Sequence, residues 1–223
     1  IPSYDSNDLH LTRCLMALHR ELQSQDNPYE IIVVESSLSN LILPEIPNTK
    51  LIHSKERLYA GEARNMGAHE AKYSYYVFVD ADVELLSGAF RHIIQGFNDG
   101  LDVVGGVYEF NNPHTGMIST LQDLLLFYRN KQVKPNQMNL SGRCFSIKAE
   151  VFWSVGGFSP NIITYEDAEL VLKLKKNNYH RSIMDTNCRG YHLKNYNFKS
   201  IFFDYFEKAR NMFCYRLLKI NDL

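Results

Sequence analysis

Two carboxylates separated by one residue, Asp80-Ala81-Asp82, follow directly on the unbroken run Tyr75-Tyr76-Val77-Phe78-Val79. A run without polar alternation, rich in aromatic and β-branched residues, suits a strand covered on both faces, as in a parallel sheet. Ligands of open α/β sheets gather at the carboxyl ends of strands. Two carboxylates there can hold a hard divalent cation beside substrate phosphates. A bare pair of this kind elsewhere would more simply solvate a strand end; the preceding buried run favours the metal reading. A second acidic pair, Glu166-Asp167, brings together two carboxylates of the type that can exchange protons. The same residues also read as a helix start, with Thr164 at the cap and Asp167 three residues on. On these residues alone, the capping reading of Asp167 prevails.

The elements that must position these groups follow from periodicity. Ala63, Met66, Gly67 and Ala71 share one face of a helix inside the stretch Arg57–Leu86. Ile1-Pro2-Ser3-Tyr4 reads as the tail of a first strand, and Leu11, Leu15, Leu18 and Leu22 as the face of an amphipathic helix. Ile31–Val34 is a second buried strand ending in Glu35, and a third short strand surrounds Leu51–His53. This alternation predicts an α/β, doubly wound, mostly parallel sheet flanked by helices, in a single Rossmann-like domain. Right-handed crossovers would bring the ends after Tyr4, Val34 and Val79 to one edge. Three polar strand ends sharing a crevice have the shape of a nucleotide site.

Further along, Ser87 is expected to cap a helix whose face is Phe90, Ile93, Ile94 and Phe97. A strand over Leu101–Phe110 precedes a helix marked by Leu121, Leu124, Leu125 and Tyr128, then a polar loop, Arg129–Asn139. Ser141–Ile147 reads as a strand, Ala149–Val155 as a short helix, Glu166 to about Lys176 as a helix and Tyr179–Met184 as a strand. In the last segment Phe198, Ile201, Phe202, Tyr205, Phe206, Ala209 and Phe213 form a wide apolar stripe near Lys199, Lys208, Arg210, Arg216 and Lys219. The main expectation there is a helix docked on the body. The lesser one is an interfacial helix on an anionic membrane.

Composition narrows the class. The 223 residues, 45% hydrophobic and 22% charged, describe an ordinary globular chain able to bury a full core. A formal net charge of -1 argues against a broad nucleic-acid surface. Cys14, Cys144, Cys188 and Cys214 lack metal spacing and read as reduced thiols of a cytosolic protein. No apolar run approaches the ~20 residues that cross a bilayer, and no signal peptide is visible. The chain opens in what reads as mid-strand, which leaves room for a preceding segment.

Five blocks in order resemble glycosyltransferase family 2, inverting, metal-dependent enzymes of the GT-A fold. Ile1-Pro2-Ser3-Tyr4 is similar to its first-strand block, and Ile31–Ser37 to its V-V-D-D-G-S block, here with Glu35-Ser36 in place of the Asp pair. Glu62-Ala63-Arg64-Asn65-Met66-Gly67 matches A-x-R-N-x-G, Val77–Val83 the D-x-D strand, and Gly156-Gly157-Phe158 with Glu166-Asp167 the G-G-F…E-D block. The matches run to about residue 180, and nothing specific matches after about 195.

The resemblance implies roles. Pro2, Tyr4 and Glu35 would line base and ribose; Arg64, Asn65, Asp80, Ala81 and Asp82 would meet the nucleotide sugar. Asp82, with Asp80 and His192, would serve Mn²⁺ or Mg²⁺. Asp167 would be the base and Glu166 would orient the acceptor. Lys194 and Arg143 are lesser phosphate candidates. Arg64 reads equally as an exposed helix salt bridge, and Gly61 and Gly67 as close-approach or packing positions. Residues 1–107 would form the nucleotide-sugar half, 108–197 the acceptor-binding and catalytic half, and 198–223 an amphipathic helix. Donor and acceptor would be a nucleoside-diphosphate sugar, UDP foremost, and a saccharide or lipid-linked hydroxyl, in polysaccharide or glycolipid synthesis. The expected location is cytoplasmic, with peripheral membrane contact through 198–223 as the variant. A nucleotidyltransferase would share sheet, carboxylates and Mg²⁺, but Ser3-Tyr4-Asp5-Ser6 lacks the glycines of a phosphate loop. A non-catalytic sugar- or nucleotide-binding module would have no need of both acidic pairs.

Overall fold

The computed structural model describes residues 1–4, 8–37, 41–131, 140, 144–160 and 162–220. Strands β1 (Pro2–Ser3), β2 (Ile31–Glu35) and β3 (Thr49–His53) form a parallel sheet in that order. A second sheet has the order β4 (Tyr75–Val79), β7 (Cys144–Lys148), β6 (Val103–Tyr108), β8 (Ser182–His192), β5 (Val83–Leu85). In it only β6 and β8 run parallel; the β4–β7, β6–β7 and β5–β8 pairs are antiparallel. The parallel, doubly wound expectation thus describes the first sheet, and the second is mixed. That second sheet takes strands from both sides of residue 107.

Burial explains why these segments became strands. Along β4, Phe78 enters a cluster with Phe145, Ile147, Phe152 and Phe158, while Val77 and Val79 join the opposite cluster with Leu15, Val83 and Val104. Successive side chains of a strand point to opposite faces, so an unbroken apolar run is what two covered faces require. Helix α1 (Asp8–Gln23) buries Leu11, Leu15, Leu18 and Leu22 as its pattern predicts. Helix α2 (Ala60–His69) lies close on β2: a Cβ on Gly67 would meet Val34 Cγ2 at 3.3 Å, so this glycine serves helix–sheet packing. An apolar cavity of about 440 Å³ separates β2 from β4, and of the candidate site residues among those described only Arg64 reaches it.

Several expectations need correction. Helix α3 (Ala89–Asn98) is entered through Gly88 at φ +89°, not capped by Ser87; buried Glu21 accepts the Phe90 N–H at 3.4 Å and supplies the anionic group instead. Helix α4 (Met117–Lys131) continues through the start of the expected loop, and residues 132–139 lie outside the described set. Its apolar residues Met117, Leu121, Leu125 and Tyr128 are exposed, while Ser119, Gln122, Asp123 and Leu126 are buried. β8 runs on to His192, well past the expected end at Met184.

Helices α5 (Ala149–Ser154) and α6 (Glu166–Lys176) fall where expected. Helix α7 (Phe198–Ile220) does not dock its aromatic stripe: Phe198 is 80% exposed and Phe202, Phe203, Tyr205, Phe206 and Phe213 are also exposed. Among the described residues, no helix is long and apolar enough to cross a membrane. Cys14, Cys144 and Cys188 are free and buried.

Candidate active site

The corner after β4 is built by sheet register. Val83 pairs with His192 across β5–β8, and Leu193 N–H donates to the Asp82 carbonyl at 2.7 Å. This places His192 Nε2 3.3 Å from Asp82 Oδ2. His192 is 5% exposed, stacked on Tyr108 at 4.9 Å and 11°, and its carbonyl accepts from Asn112 Nδ2 at 2.7 Å. On its other edge Nδ1 lies 3.7 Å from Oδ1 of Asp123, a residue of α4. Asp82 is about a third exposed, so the corner opens to solvent on its side. His10 of α1 is near enough for the charges of Asp82 and His192 to act on it, while its own burial lowers its pKa.

Arg64 joins this corner to the second acidic pair. The residue is 3% exposed; its Nη2 donates to Asp80 Oδ1 at 2.6 Å and its Nη1 to Glu166 Oε1 at 2.7 Å. The exposed salt-bridge reading of Arg64 is therefore excluded. Burial works against its charge, but Asp80 and Glu166 more than offset that and keep the guanidinium ionised. Burial pushes the Asp80 carboxyl above its ordinary value, against the pull of Arg64 and with the push of Asp82. The face of Phe158 lies 5.5 Å from the Arg64 guanidinium.

Asn65 next door is turned to the glycine-rich turn: its amide donates to Phe158 O at 2.8 Å and accepts Phe158 N–H at 3.0 Å. Gly61 lets α2 approach that turn and α6, since a Cβ there would lie 3.2 Å from Phe158 Cβ and 3.5 Å from Glu166 Cβ.

Asp167 stands in the first turn of α6, beside the anchored Glu166. Its Oδ1 accepts the Ala168 N–H at 2.7 Å. Thr164 is not the cap: the N-cap residue is Tyr165, and Thr164 Oγ1 is buried without a hydrogen-bond partner among the described residues. Tyr165 sits at φ +68°, a left-handed conformation costly for a bulky residue and common where chemistry is held in place.

The strand ends of the first sheet divide in two. Tyr4 is 47% exposed, and the Arg57 guanidinium lies 4.4 Å above its ring and 5.8 Å from that of Tyr59. Glu35 is 1% exposed, with its carboxylate taken by the Ser3 hydroxyl and by the Ser37 N–H at 2.7 Å. It pins the ends of β1 and β2 together and lies closed off from the crevice. Pro2 is half-buried in β1, and Ala81 is buried between the two aspartates. Lys194 sits 4.9 Å over Tyr196 and 4.0 Å from Asp204, as a surface charge. Arg143 lies outside the described residues.

Sequence reasoning missed Arg57, Tyr59 and Asp123. A signal existed for Asp123: Ser119, Gln122 and Asp123 recur at helical spacing opposite Leu121, Leu125 and Tyr128.

The model of glycosyl transferase family 2 matches residues 1–156, and the chain belongs to that family. The teichoic acid poly(glycerol phosphate) polymerase of Staphylococcus epidermidis is 23% identical over 190 residues, which are 79% of this chain and 25% of that protein. A mannosyltransferase of Pyrobaculum calidifontis, solved with GDP-Man and Mn²⁺, superposes with TM-score 0.60 at 17% identity, over 86% of this chain and 55% of that one. TarS of S. aureus, solved with UDP-GlcNAc, does so with TM-score 0.60 at 16% identity, over 88% and 57%. These structural likenesses establish the GT-A fold. The chain spans a quarter of the curated relative it matches and little more than half of these two solved chains.

Proposed function

We propose that this chain is the catalytic domain of a glycosyltransferase, moving a sugar from a nucleoside diphosphate to an acceptor hydroxyl with inversion. The observation that carries the reading is the Arg64 bridge, which joins the Asp80–Asp82 corner to the Glu166–Asp167 corner in one site. Membership of the family and the sugar nucleotides bound by the two solved neighbours support it.

The residues at the first corner fit a divalent ion. Neighbouring ligands of one octahedral ion lie about 3 Å apart, and Asp82 Oδ2 and His192 Nε2 are separated by 3.3 Å. Among the described residues no group of three or more His, Cys, Asp or Glu gathers for a metal. The remaining positions would fall to phosphate oxygens and water, the usual arrangement for Mg²⁺. Asp82 and His192 would hold the ion, which when bound neutralises the charge growing on the leaving diphosphate. Asp80, engaged by Arg64, keeps the corner in shape.

The exposed Tyr4 ring with Arg57 over it offers a platform for base and ribose, with UDP the first nucleotide to test. Asp167 takes the proton of the acceptor hydroxyl as its oxygen bonds to the anomeric carbon. The bond from that carbon to the phosphate oxygen breaks, and its electron pair leaves with the diphosphate. Attack opposite the leaving group inverts the centre. Glu166, held by Arg64, sets where α6 begins and so where Asp167 stands.

Asp82→Ala is expected to abolish Mn²⁺-dependent binding of UDP, measured by calorimetry with and without the ion, while the thermal midpoint stays near that of the parent. Unchanged metal-dependent affinity in a folded Asp82→Ala protein overturns the metal assignment.

A further inference from the structure

Helix α4 buries Ser119, Gln122 and Asp123 beside Leu126 and leaves Met117, Leu121, Leu125 and Tyr128 exposed, so its inner face is far more polar than an amphipathic helix usually presents. Buried polar groups are normally paired. Ser119 meets that rule, since its hydroxyl donates to Asn195 Oδ1 at 3.2 Å and accepts the Tyr196 N–H at 2.6 Å. Asp123 does not. It is 1% exposed, and neither of its carboxylate oxygens has a hydrogen-bond partner among the described residues. Taking a carboxylate out of water in this way is costly. The group it faces is the imidazole of His192, with Nδ1 at 3.7 Å.

We propose that Asp123 is a positioning residue of the metal centre: it takes the Nδ1–H of His192, so that Nε2 carries the lone pair toward the ion beside Asp82. The proposal rests on reading Asp82 and His192 as metal ligands. A neutral imidazole ligates through one nitrogen, and the hydrogen bond made by the other decides which. A carboxylate on that second nitrogen fixes the ring and strengthens it as a ligand.

Other contacts of His192 hold different degrees of freedom. Tyr108 fixes the plane of the ring by stacking, and Asn112 and the β5 pairing fix the backbone. None of these three sets the tautomer. Hydrogen bonds of this type reach about 3.2 Å, so a closing of about 0.5 Å completes the contact with Asp123.

The test uses the full chain carrying Asp123→Ala or Asp123→Asn, the latter keeping side-chain volume should the alanine variant fail to fold. Nitrogen-15 NMR of the metal-free protein at pH 8, with His192 assigned through His192→Gln, reads the tautomer. Mn²⁺ alone is titrated by the electron paramagnetic resonance of the free ion. The parent is expected to carry the His192 proton on Nδ1. Asp123→Ala shifts it toward Nε2, and Mn²⁺ affinity falls on the order of 10- to 100-fold. Leu125→Ser, on the exposed face of the same helix, changes neither.

An affinity loss without a change of tautomer overturns the positioning role. If neither moves in the Asp123 variants while Asp82→Ala abolishes Mn²⁺ binding, this proposal falls and the metal site stands. Mn²⁺ bound equally well by Asp82→Ala overturns both.

Discussion

Asp167→Asn is expected to lower the rate of sugar transfer by a factor on the order of 10² or more, with the thermal midpoint almost unchanged. An asparagine carbonyl can still accept the Ala168 N–H that Asp167 Oδ1 now takes at 2.7 Å, so the start of α6 keeps its local bond. What it cannot do is accept a proton at neutral pH. The first turn of a helix also favours a negative charge there, which suits a base that must be ionised before the acceptor arrives. If Asp167 serves the helix alone, its replacement leaves transfer intact and costs at most about 1 kcal/mol of stability. Initial rates at saturating donor, together with thermal unfolding, separate the two. A fully active Asp167→Asn enzyme ends the catalytic assignment.

Arg64→Met carries the largest expected effect on stability. The substitution keeps most of the apolar stem but leaves Asp80 and Glu166 facing each other without the guanidinium that now bonds both. Breaking a buried ion pair by removing one partner costs about 3–5 kcal/mol, because the remaining charge is left uncompensated. For a chain of this size that is a fall in thermal midpoint of roughly 10 °C. Arg64→Lys restores one contact and not the fork, so it should recover only part of the loss.

A double-mutant cycle with Glu166→Gln tests the geometry. If Arg64 and Glu166 are coupled as the distances indicate, the combined loss is smaller than the sum of the single losses by about 1 kcal/mol or more. Strict additivity would break the link drawn between the two acidic corners. Transfer should fall with Arg64→Met as well, through displacement of α6 and not through the acceptor proton.

Much of the scaffold was legible because it is local. The leucines of α1, the apolar run of β4 and the face of α3 each announce which side will be buried, since a period of 3.6 or of 2 is written in consecutive residues. The position of Asp80 and Asp82 at the end of a two-sided strand follows from the same run. Five blocks in the right order also pointed to the family without any knowledge of contacts.

What the chain does with its polar residues was decided by tertiary structure. Arg64 and Glu166 are 102 positions apart, and no pattern near either distinguishes a buried bridge from a surface pair. His192 reaches Asp82 because β5 and β8 pair in one particular register. Glu35, at the end of a strand that the sequence did locate, turns inward to Ser3 and Ser37 and closes itself off. In α4 Leu121 and Leu125 face solvent while Asp123, on the same covered side as buried Leu126, faces a histidine, because what lies beneath that helix is polar as well as apolar. Periodicity tells which residues share a face. Whether that face meets core, solvent or a site depends on elements folded in from far along the chain.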